Sequence, residues 1–166
     1  IFLEYYILAE GQIWDQMFEV LKERAAAGVE VRIIFDDFGN LTRLSDATLQ
    51  AMQNAGMEVE VFNPVHRYVN RIYFNYRDHR KIAVIDGQYA YTGGINVGDE
   101  YANLVVRFGH WKDTGVCIEG AGAWGFASQF IQMWKMIGRT LPNEDDYYRP
   151  RHVEEGGPGW CQPFTD

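Results

Sequence analysis

A histidine and a lysine lie two residues apart at the start of an apolar segment, as His79 and Lys81. In a β-strand over 79–85 both side chains would project from the same face, and apolar residues occupy both faces, so the strand should be buried on both sides. Asp86 begins a turn signal at the far end, and a second strand then returns toward Asn96. The pattern therefore predicts a hairpin that brings an imidazole, an ammonium group and a carboxamide to one end of a sheet.

These three groups suit chemistry on a phosphodiester. A neutral imidazole such as that of His79 can attack phosphorus and hold it covalently, which divides one difficult displacement into two easier ones. Lys81 supplies a point charge for the non-bridging oxygens, and Asn96 can donate hydrogen bonds to them. The adjacent Gly93 and Gly94 leave backbone amides uncovered, so that a phosphate can come close. We therefore assign catalytic roles to the first three residues and substrate binding to the two glycines.

The spacing His-x-Lys, four residues, Asp, six residues, Gly-Gly-x-Asn resembles the signature of the phospholipase D superfamily, known as the HKD motif. Every position of that signature is occupied in this chain, by His79, Lys81, Asp86, Gly93, Gly94 and Asn96. Six fixed positions coincide by chance at a given start with a probability on the order of 10⁻⁸. The competing interpretation is a buried hairpin that merely happens to carry a histidine and a lysine.

Alternating strand and helix patterns must position this hairpin. Helical spacing of apolar residues predicts helices over 12–27, 46–55 and 121–137, and Ser45 can cap the second of them. Apolar runs and alternating residues predict strands over 1–8, 29–35, 57–62, 79–85, a segment beginning at Tyr89, and 114–118. This order predicts an α/β sandwich with a mainly parallel sheet and helices on both faces, the phospholipase D-like fold that the resemblance also implies.

Length and composition predict one folded domain, because 166 residues with 47% hydrophobic content can bury a real core. We assign residues 1–138 to a single catalytic domain with one copy of the motif, and 139–166 to an irregular, acidic tail rich in Pro and Gly. The chain starts with Ile1 in an apolar strand, so we expect it to begin inside a longer protein with this strand truncated. No apolar run approaches the roughly 18 residues that span a bilayer, so we expect this piece to be soluble.

The net charge of −8 argues against a general nucleic-acid binder, which would usually be basic. Five cations between residues 66 and 81, among aromatic residues, form a local exception beside the proposed site, and we assign Arg77 to substrate binding. An ordinary solvated loop is an equally good interpretation of that stretch. Cys117 and Cys161 show neither metal-ligand spacing nor a disulfide framework, so we expect no metal and a reducing compartment.

Looser similarities over nearly the whole chain narrow the resemblance to bacterial cardiolipin synthases, and within them to the N-terminal of two catalytic halves. The segments that carry it are Glu4–Ile7, Gly28–Arg32, Ala55–Val59, Asn75–Lys81, Gly98–Tyr101 and Trp111–Asp113. Asp78 and Lys112 stand where that family usually has Asn and Arg, and both keep the polarity of the position. These departures do not touch the residues proposed for the chemistry.

The resemblance implies an enzyme that moves a phosphatidyl group from one phosphatidylglycerol to the hydroxyl of another, giving cardiolipin and glycerol without a metal or other cofactor. His79 would form a phosphohistidine, and a histidine from a second half, in the same full-length chain or in a second copy, would act as acid and base. The partners implied are an anionic phospholipid and that second half, not nucleic acid. The implied location is the cytoplasmic face of the cell membrane, reached through segments absent from this chain, and the isolated fragment should be inactive.

A carboxylate should hold the His79 imidazole in one tautomer. Asp113 is assigned this role by its match to the acidic position after Gly-Gly-x-Asn, with an ordinary strand-edge or capping role as the alternative. Glu4, in an apolar strand, is the other candidate. Asp86 differs from His79 in strand parity and lies at the strand's far end, so we assign it a structural, charge-pairing role.

Two other functions stay open at this point. Another phosphodiesterase of the same superfamily would use these residues to hydrolyse a phospholipid or a nucleic acid, and a scaffold protein would use the fold without catalysis. The acidic net charge counts against nucleic acid. The intact His79, Lys81 and Asn96 count against a scaffold.

Overall fold

A computed structural model describes residues 1–65, 75–148 and 161–164 of the chain. Within these residues the strands are β1 (Phe2–Tyr5), β2 (Arg32–Asp36), β3 (Glu58–Phe62), β4 (Lys81–Ile85), β5 (Tyr89–Gly93) and β6 (Gly115–Glu119). The α-helices are α1 (Gln12–Ala26), α2 (Asp37–Asn40), α3 (Asp46–Asn54) and α4 (Ala123–Met136). Short 3₁₀ helices lie at Asp99–Ala102 and Glu144–Tyr147.

The strands form one sheet in the order β3-β2-β1-β4-β5-β6. β1, β2 and β3 are parallel neighbours, whereas β4 is antiparallel to β1, β5 to β4 and β6 to β5. The prediction of a mainly parallel sheet is therefore wrong, and the sheet is mixed. The connections explain this, because α1 and α3 carry the chain back between parallel strands, whereas the short turn between β4 and β5 can only join antiparallel strands.

Helices cover both faces of the sheet, as predicted. On one face α4 packs against apolar residues of the central strands, among them Phe2, Ile34, Ile82, Val84 and Ala90. On the other face α1 and α3 contribute Trp14, Leu21 and Met52 to a second cluster with Leu3, Ile33 and Val59. None of the described helices is both long and apolar enough to cross a membrane.

Three helices begin and end within about two residues of their predicted bounds, and Ser45 caps α3 as predicted, its hydroxyl accepting from Thr48 N at 3.2 Å. The short α2 was not predicted. Its N-cap is Asp36, whose Oδ1 accepts from Phe38 N at 2.8 Å and from Gly39 N at 3.3 Å. This cap places a buried carboxylate at the carboxyl end of β2, beside the start of β4.

The first residues after α4 pack against the domain. Leu141 is buried in the α4 cluster, and Tyr147 lies at its margin. The Tyr147 hydroxyl donates to Glu30 Oε2 and accepts from Arg32 Nη1, both at 2.9 Å. The segment assigned to a tail therefore begins with residues that contribute to the core.

Candidate active site

His79 lies just before β4, and its side chain is exposed. Its ring packs against that of Tyr6, with 4.9 Å between the centroids. Partial burial, followed by the nearby Lys81 ammonium, lowers the pKa of His79 below its ordinary value of 6.5, against the opposing effect of Asp78 and Asp36. The imidazole is therefore neutral at neutral pH, which is the form that can act as a nucleophile.

Lys81 is the first residue of β4, and only 6% of it is exposed. Its Nζ donates to His79 O at 2.5 Å and lies 5.6 Å from the centroid of the Tyr6 ring. Burial lowers the pKa of Lys81 from 10.5 to about 8, although the Asp78 and Asp113 carboxylates oppose this shift. His79 and Lys81 thus contact one aromatic ring, as expected for two residues that share a face.

Asn96 follows β5 and is buried. Its Oδ1 accepts from Ile7 N at 3.1 Å, and its Nδ2 donates to the Tyr101 hydroxyl at 3.1 Å. These two bonds fix the orientation of the carboxamide, and Nδ2 carries a second hydrogen that a phosphate oxygen could accept. His79 and Lys81 thus contact the ring of Tyr6, and Asn96 accepts from the backbone N of the next residue, Ile7.

Asp113 lies on the side of Lys81 rather than against the His79 imidazole. Its Oδ2 accepts from Trp111 Nε1 at 3.1 Å and its Oδ1 from Thr114 N at 2.8 Å. No hydrogen bond between Asp113 and His79 is found among the described residues, so the pairing predicted from the sequence is absent here. Asp113 lines a pocket with Lys81 and acts on the lysine's ionisation instead.

The other candidate partner, Glu4, is also engaged elsewhere. Its side chain is completely buried on the face that α4 covers, and its Oε1 lies 2.8 Å from Arg80 Nε. It interacts electrostatically with Asp78, the residue before His79, as well as with Arg80. Glu4 therefore acts on the neighbours of His79 rather than on the imidazole.

The paired glycines accommodate the protein's own atoms. A Cβ on Gly93 would lie 2.7 Å from Thr114 O, and a Cβ on Gly94 would lie 2.5 Å from Asp113 Oδ1. Their role in binding phosphate stays a prediction. The close approach that the structure does contain is between the end of β5 and the residues that lead into β6.

Asp86 occupies the tight turn between β4 and β5, at the opposite end of β4 from Lys81. Asp86 and Gly87 have φ values of +54° and +64°, and Gln88 N donates to Ile85 O at 3.0 Å. Positive φ at both central residues is characteristic of the type I′ turn, which favours Asp-Gly. The predicted structural role fits this geometry. No ion pair of Asp86 within 4.0 Å occurs among the described residues, but its carboxylate acts electrostatically on the Ile1 ammonium, so its charge-pairing role stays a prediction.

Arg77, assigned to substrate binding, is held beside the site by Asp36. Its Nη1 donates to Asn63 O at 3.0 Å and lies 3.4 Å from Asp36 Oδ1, and its guanidinium lies over the Phe38 ring at 5.4 Å. The cations Arg67 and Arg71 of the same predicted basic stretch lie outside the described residues. Arg77 and His79 line the same groove.

Sequence reasoning missed a buried polar framework that supports the site. Asp36 Oδ2 accepts from Asp78 N at 3.0 Å, and burial raises the pKa of Asp36. Asn40 Oδ1 accepts from Leu8 N at 2.8 Å, while its Nδ2 donates to Tyr6 O at 2.9 Å and to Asp36 O at 2.7 Å. The available signal was Asp36-Asp37 directly after a buried strand, where polar side chains from neighbouring strand ends tend to meet.

A groove with a volume of about 620 Å³ opens beside His79, and we call it the His79 groove. Its polar lining residues are Arg77, Asp78, His79, Arg80 and Gln132, and its other lining residues are Phe62, Tyr76, Met133, Met136 and Phe164. Tyr76, Met136 and Phe164 are exposed. The groove therefore combines cations, the candidate nucleophile and an apolar wall.

Comparison with protein families gives a match over residues 2–134 to the family described as "Cardiolipin synthase, PLD-like domain". An uncharacterised protein of Streptococcus mutans is 46% identical over 170 residues, covering 100% of this chain and 36% of that protein. A cardiolipin synthase of Geobacillus kaustophilus is 40% identical over 160 residues, covering 96% of this chain and 32% of the synthase. The chain thus spans about a third of the length of these relatives.

Two solved structures share the fold at low sequence identity. NucT from Helicobacter pylori superposes with a TM-score of 0.59 at 16% identity, over 81% of this chain and 77% of NucT. Nuc from Salmonella typhimurium, described as a phospholipase D family member, gives a TM-score of 0.56 at 18% identity, over 80% of this chain and 76% of Nuc. The mixed sheet with helices on both faces is therefore the phospholipase D-like α/β fold.

Proposed function

The chain belongs to the family of cardiolipin synthase PLD-like domains, and from this premise we propose that it carries the nucleophile of a phosphatidyltransferase acting between two phosphatidylglycerol molecules. The observation that carries the proposal is the contact of His79 and Lys81 with one ring, that of Tyr6. A neutral imidazole and a buried ammonium group are thereby available to the same phosphoryl group. This chain would be the N-terminal of two catalytic halves.

In the first step a ring nitrogen of His79 attacks the phosphorus of the donor lipid. The bond from phosphorus to the glycerol headgroup oxygen breaks, and that oxygen takes a proton from an acid as glycerol leaves. In the second step the headgroup hydroxyl of another phosphatidylglycerol gives its proton to the same group, now a base, and attacks phosphorus. The phosphorus–nitrogen bond breaks, which releases cardiolipin and restores the free imidazole.

Lys81 and Asn96 would stabilise the charge on the phosphoryl oxygens in both steps. The lowered pKa of Lys81, about 8, reflects a buried cation that lacks full compensation, and an anionic phosphoryl group would supply it. Asn96 is already oriented by Ile7 N and Tyr101, so its remaining N–H needs no reorganisation to donate. Preorganised donors of this kind typically contribute about 10²–10³-fold to kcat each.

The His79 groove supports a lipid as the substrate. Its volume of about 620 Å³ falls within the roughly 300–1,000 Å³ typical of ligand sites. Met133 and Met136 of α4 line it together with His79 and two arginines. An amphiphile has both a phosphate that cations can bind and an acyl chain that apolar side chains can contact.

The acid and base would come from the second half, which the remaining length of the relatives could supply. Exposed apolar side chains occur on β5, just after it, and in the segment that leads to Trp111. We call this set the open sheet face, and its members are Tyr91, Ile95, Val105, Val106 and Phe108. Tyr91 and Ile95 line the pocket that contains Lys81 and Asp113, and Phe108 packs against Trp111 with ring centroids 5.9 Å apart. We propose that the second half covers this face.

The test is to give the full-length protein phosphatidylglycerol and to identify its lipid products by mass spectrometry. Cardiolipin and glycerol are the expected products, and H79A should abolish them. With ³²P-labelled lipid, an alkaline denaturing quench should trap label on the protein, because a phosphorus–nitrogen bond is lost in acid. Phosphatidic acid as the sole lipid product would indicate hydrolysis by another phospholipase D-type phosphodiesterase. If neither cardiolipin nor phosphatidic acid were formed, the proposal would be contradicted.

A further inference from the structure

Behind His79 two buried carboxyl groups share a single cation. Glu4 is 0% and Asp78 is 4% exposed. Arg80 Nε lies 2.8 Å from Glu4 Oε1 and 3.0 Å from Asp78 Oδ1. If both acids were ionised, this cluster would bury one uncompensated negative charge, which is costly in a region of low dielectric constant.

The hydrogen bonds show the same imbalance. Arg80 directs both Nε and its backbone N to Asp78 Oδ1, at 3.0 and 3.2 Å, so the short distance to Glu4 is not a hydrogen bond. Glu4 Oε1, Glu4 Oε2 and Asp78 Oδ2 have no donor among the described residues. An ionised carboxylate can only accept, whereas an un-ionised carboxyl group supplies one O–H donor.

Among the described residues no cation other than Arg80 lies within ion-pair distance of Glu4 or Asp78, although the Lys81 ammonium acts on Asp78 from farther away. The residues opposite Glu4 on β2 and β4 are Ile34 and Ile82. α4, which covers this face, carries one ionisable residue, Lys135, and that residue is exposed and paired with Glu144. Further along the same site Asp36 accepts from Asp78 N and pairs with Arg77, while Lys81 and His79 face Tyr6.

We propose that Glu4 is un-ionised in the folded protein, that it donates its carboxyl proton to Asp78, and that this acid pair with Arg80 positions His79. The two carboxyl groups lie close enough for a hydrogen bond, and burial, followed by the Asp78 carboxylate, raises the pKa of Glu4 well above its usual value. With one shared proton the three side chains carry no net charge. Asp78 and Arg80 flank His79, so the acid pair holds the backbone on both sides of the nucleophile.

The protonation can be tested in the full-length protein by infrared difference spectroscopy. At neutral pH the wild type should show the carbonyl stretch of an un-ionised carboxyl group, shifted in D₂O. E4Q should lack this band, and E19Q, which alters an exposed glutamate of α1, should keep it. In D78N the amide replaces the proton as donor, Glu4 can ionise beside Arg80, and the band should again be missing. The same band in E4Q, or its absence from the wild type, would overturn the proposal.

The positioning role rests on the proposed function and needs a second measurement, the turnover of phosphatidylglycerol. E4Q keeps a neutral donor of the same shape, so we expect kcat within about threefold of the wild type. E4M keeps the length without a donor, and a displaced His79 should lower its kcat by about 10–100-fold with little change in KM. Equal activity of E4M and E4Q would exclude positioning by this donor. If neither the wild type nor the variants turn over phosphatidylglycerol, the proposed function fails. The infrared result still decides whether Glu4 is protonated.

Discussion

Lys81 shows how one buried side chain can set the pH range of the site. The residue is 6% exposed, and its ammonium group donates to His79 O. Burial lowers its pKa to about 8. The cation is therefore present below about pH 8 in the free protein and is lost above it. Because a bound phosphoryl group favours the charged form, substrate should move this ionisation to higher pH.

We predict that kcat/KM of the full-length enzyme falls by about tenfold per pH unit above pH 8, since it reports ionisations of the free enzyme. The alkaline fall in kcat should occur at higher pH, because kcat reports the enzyme with substrate bound and the phosphoryl group then stabilises the Lys81 ammonium. In K81R the part of the alkaline limb that belongs to Lys81 should disappear, since a guanidinium does not deprotonate in this range, and any limb that remains belongs to the general acid. Initial rates with phosphatidylglycerol between pH 5 and pH 10 measure all three.

The acidic side of the same profile belongs to His79. Its pKa lies below 6.5, so the neutral nucleophile should persist to lower pH than for a free imidazole. An acid limb above pH 6.5, or an unchanged alkaline limb in K81R, would contradict these two assignments.

The β4–β5 hairpin separates chemistry from architecture within one sequence motif. Lys81 begins β4, whereas Asp86 and Gly87 form the turn at its other end with positive φ. We predict that G87A destabilises the hairpin by about 1–2 kcal/mol, because an alanine is strained in the left-handed region. D86N should leave both stability and lipid turnover nearly unchanged, since Asn-Gly also suits a type I′ turn.

Hydrogen exchange of β4 and β5 amides in the full-length protein measures the first effect, and product formation measures the second. A loss of turnover in D86N without loss of amide protection would assign Asp86 to the chemistry after all.

A matched pair of glycines on β5 and β6 tests the close approach near Asp113. Gly93 and Gly115 are register partners, but a Cβ on Gly93 would meet Thr114 O at 2.7 Å, whereas a Cβ on Gly115 would meet only Thr92 O at 3.7 Å. We expect G93A to destabilise these strands by about 1–3 kcal/mol, because the clash is with backbone that cannot move cheaply. G115A should change stability by about 0.5 kcal/mol or less. Hydrogen exchange of the β5 and β6 amides distinguishes the two variants. Equal loss of protection in G93A and G115A would contradict the packing argument.

Much of this element-level order could be predicted from the sequence. The strand and hairpin around His79 follow from the continuous apolar run over 82–85 and from Asp86-Gly87, which are local signals. The direction of β4 against β1 and the position of Asp113 beside Lys81 depend on contacts between distant segments. The framework of Asp36 and Asn40 was missed for the same reason, because its bonds to Asp78, Tyr6 and Leu8 cross from one strand end to another.

At the scale of the whole molecule, the open sheet face suggests how two halves would complete one site. Val106 is 84% exposed, and two other members, Tyr91 and Ile95, line the pocket of Lys81 and Asp113. We predict that this chain alone turns over phosphatidylglycerol on the order of 10²–10⁴-fold more slowly than the full-length enzyme, the usual contribution of a general acid–base group. Adding a separately produced second half should restore part of the activity.

In the same assay V106E should weaken restoration, because it would bury an unpaired charge under the second half. V20E, at another exposed valine on α1, is the control and should restore activity as well as the wild type does. Full turnover by the isolated chain as a monomer would mean that both proton-transfer groups lie within these 166 residues.

The alternation around His79 has a consequence for how this region can change in evolution. Asp78 and Arg80 turn toward Glu4, whereas His79 and Lys81 meet at the ring of Tyr6. Side chains alternate with a period of two in this extended segment. Inserting or deleting one residue between Asp78 and Lys81 would therefore exchange the two sides: a side chain that now faces Glu4 would face Tyr6, and His79 would turn into the core. Across homologous sequences we therefore expect substitutions but no gaps in this interval. Its length should be more tightly constrained than the identities of Asp78 and Arg80.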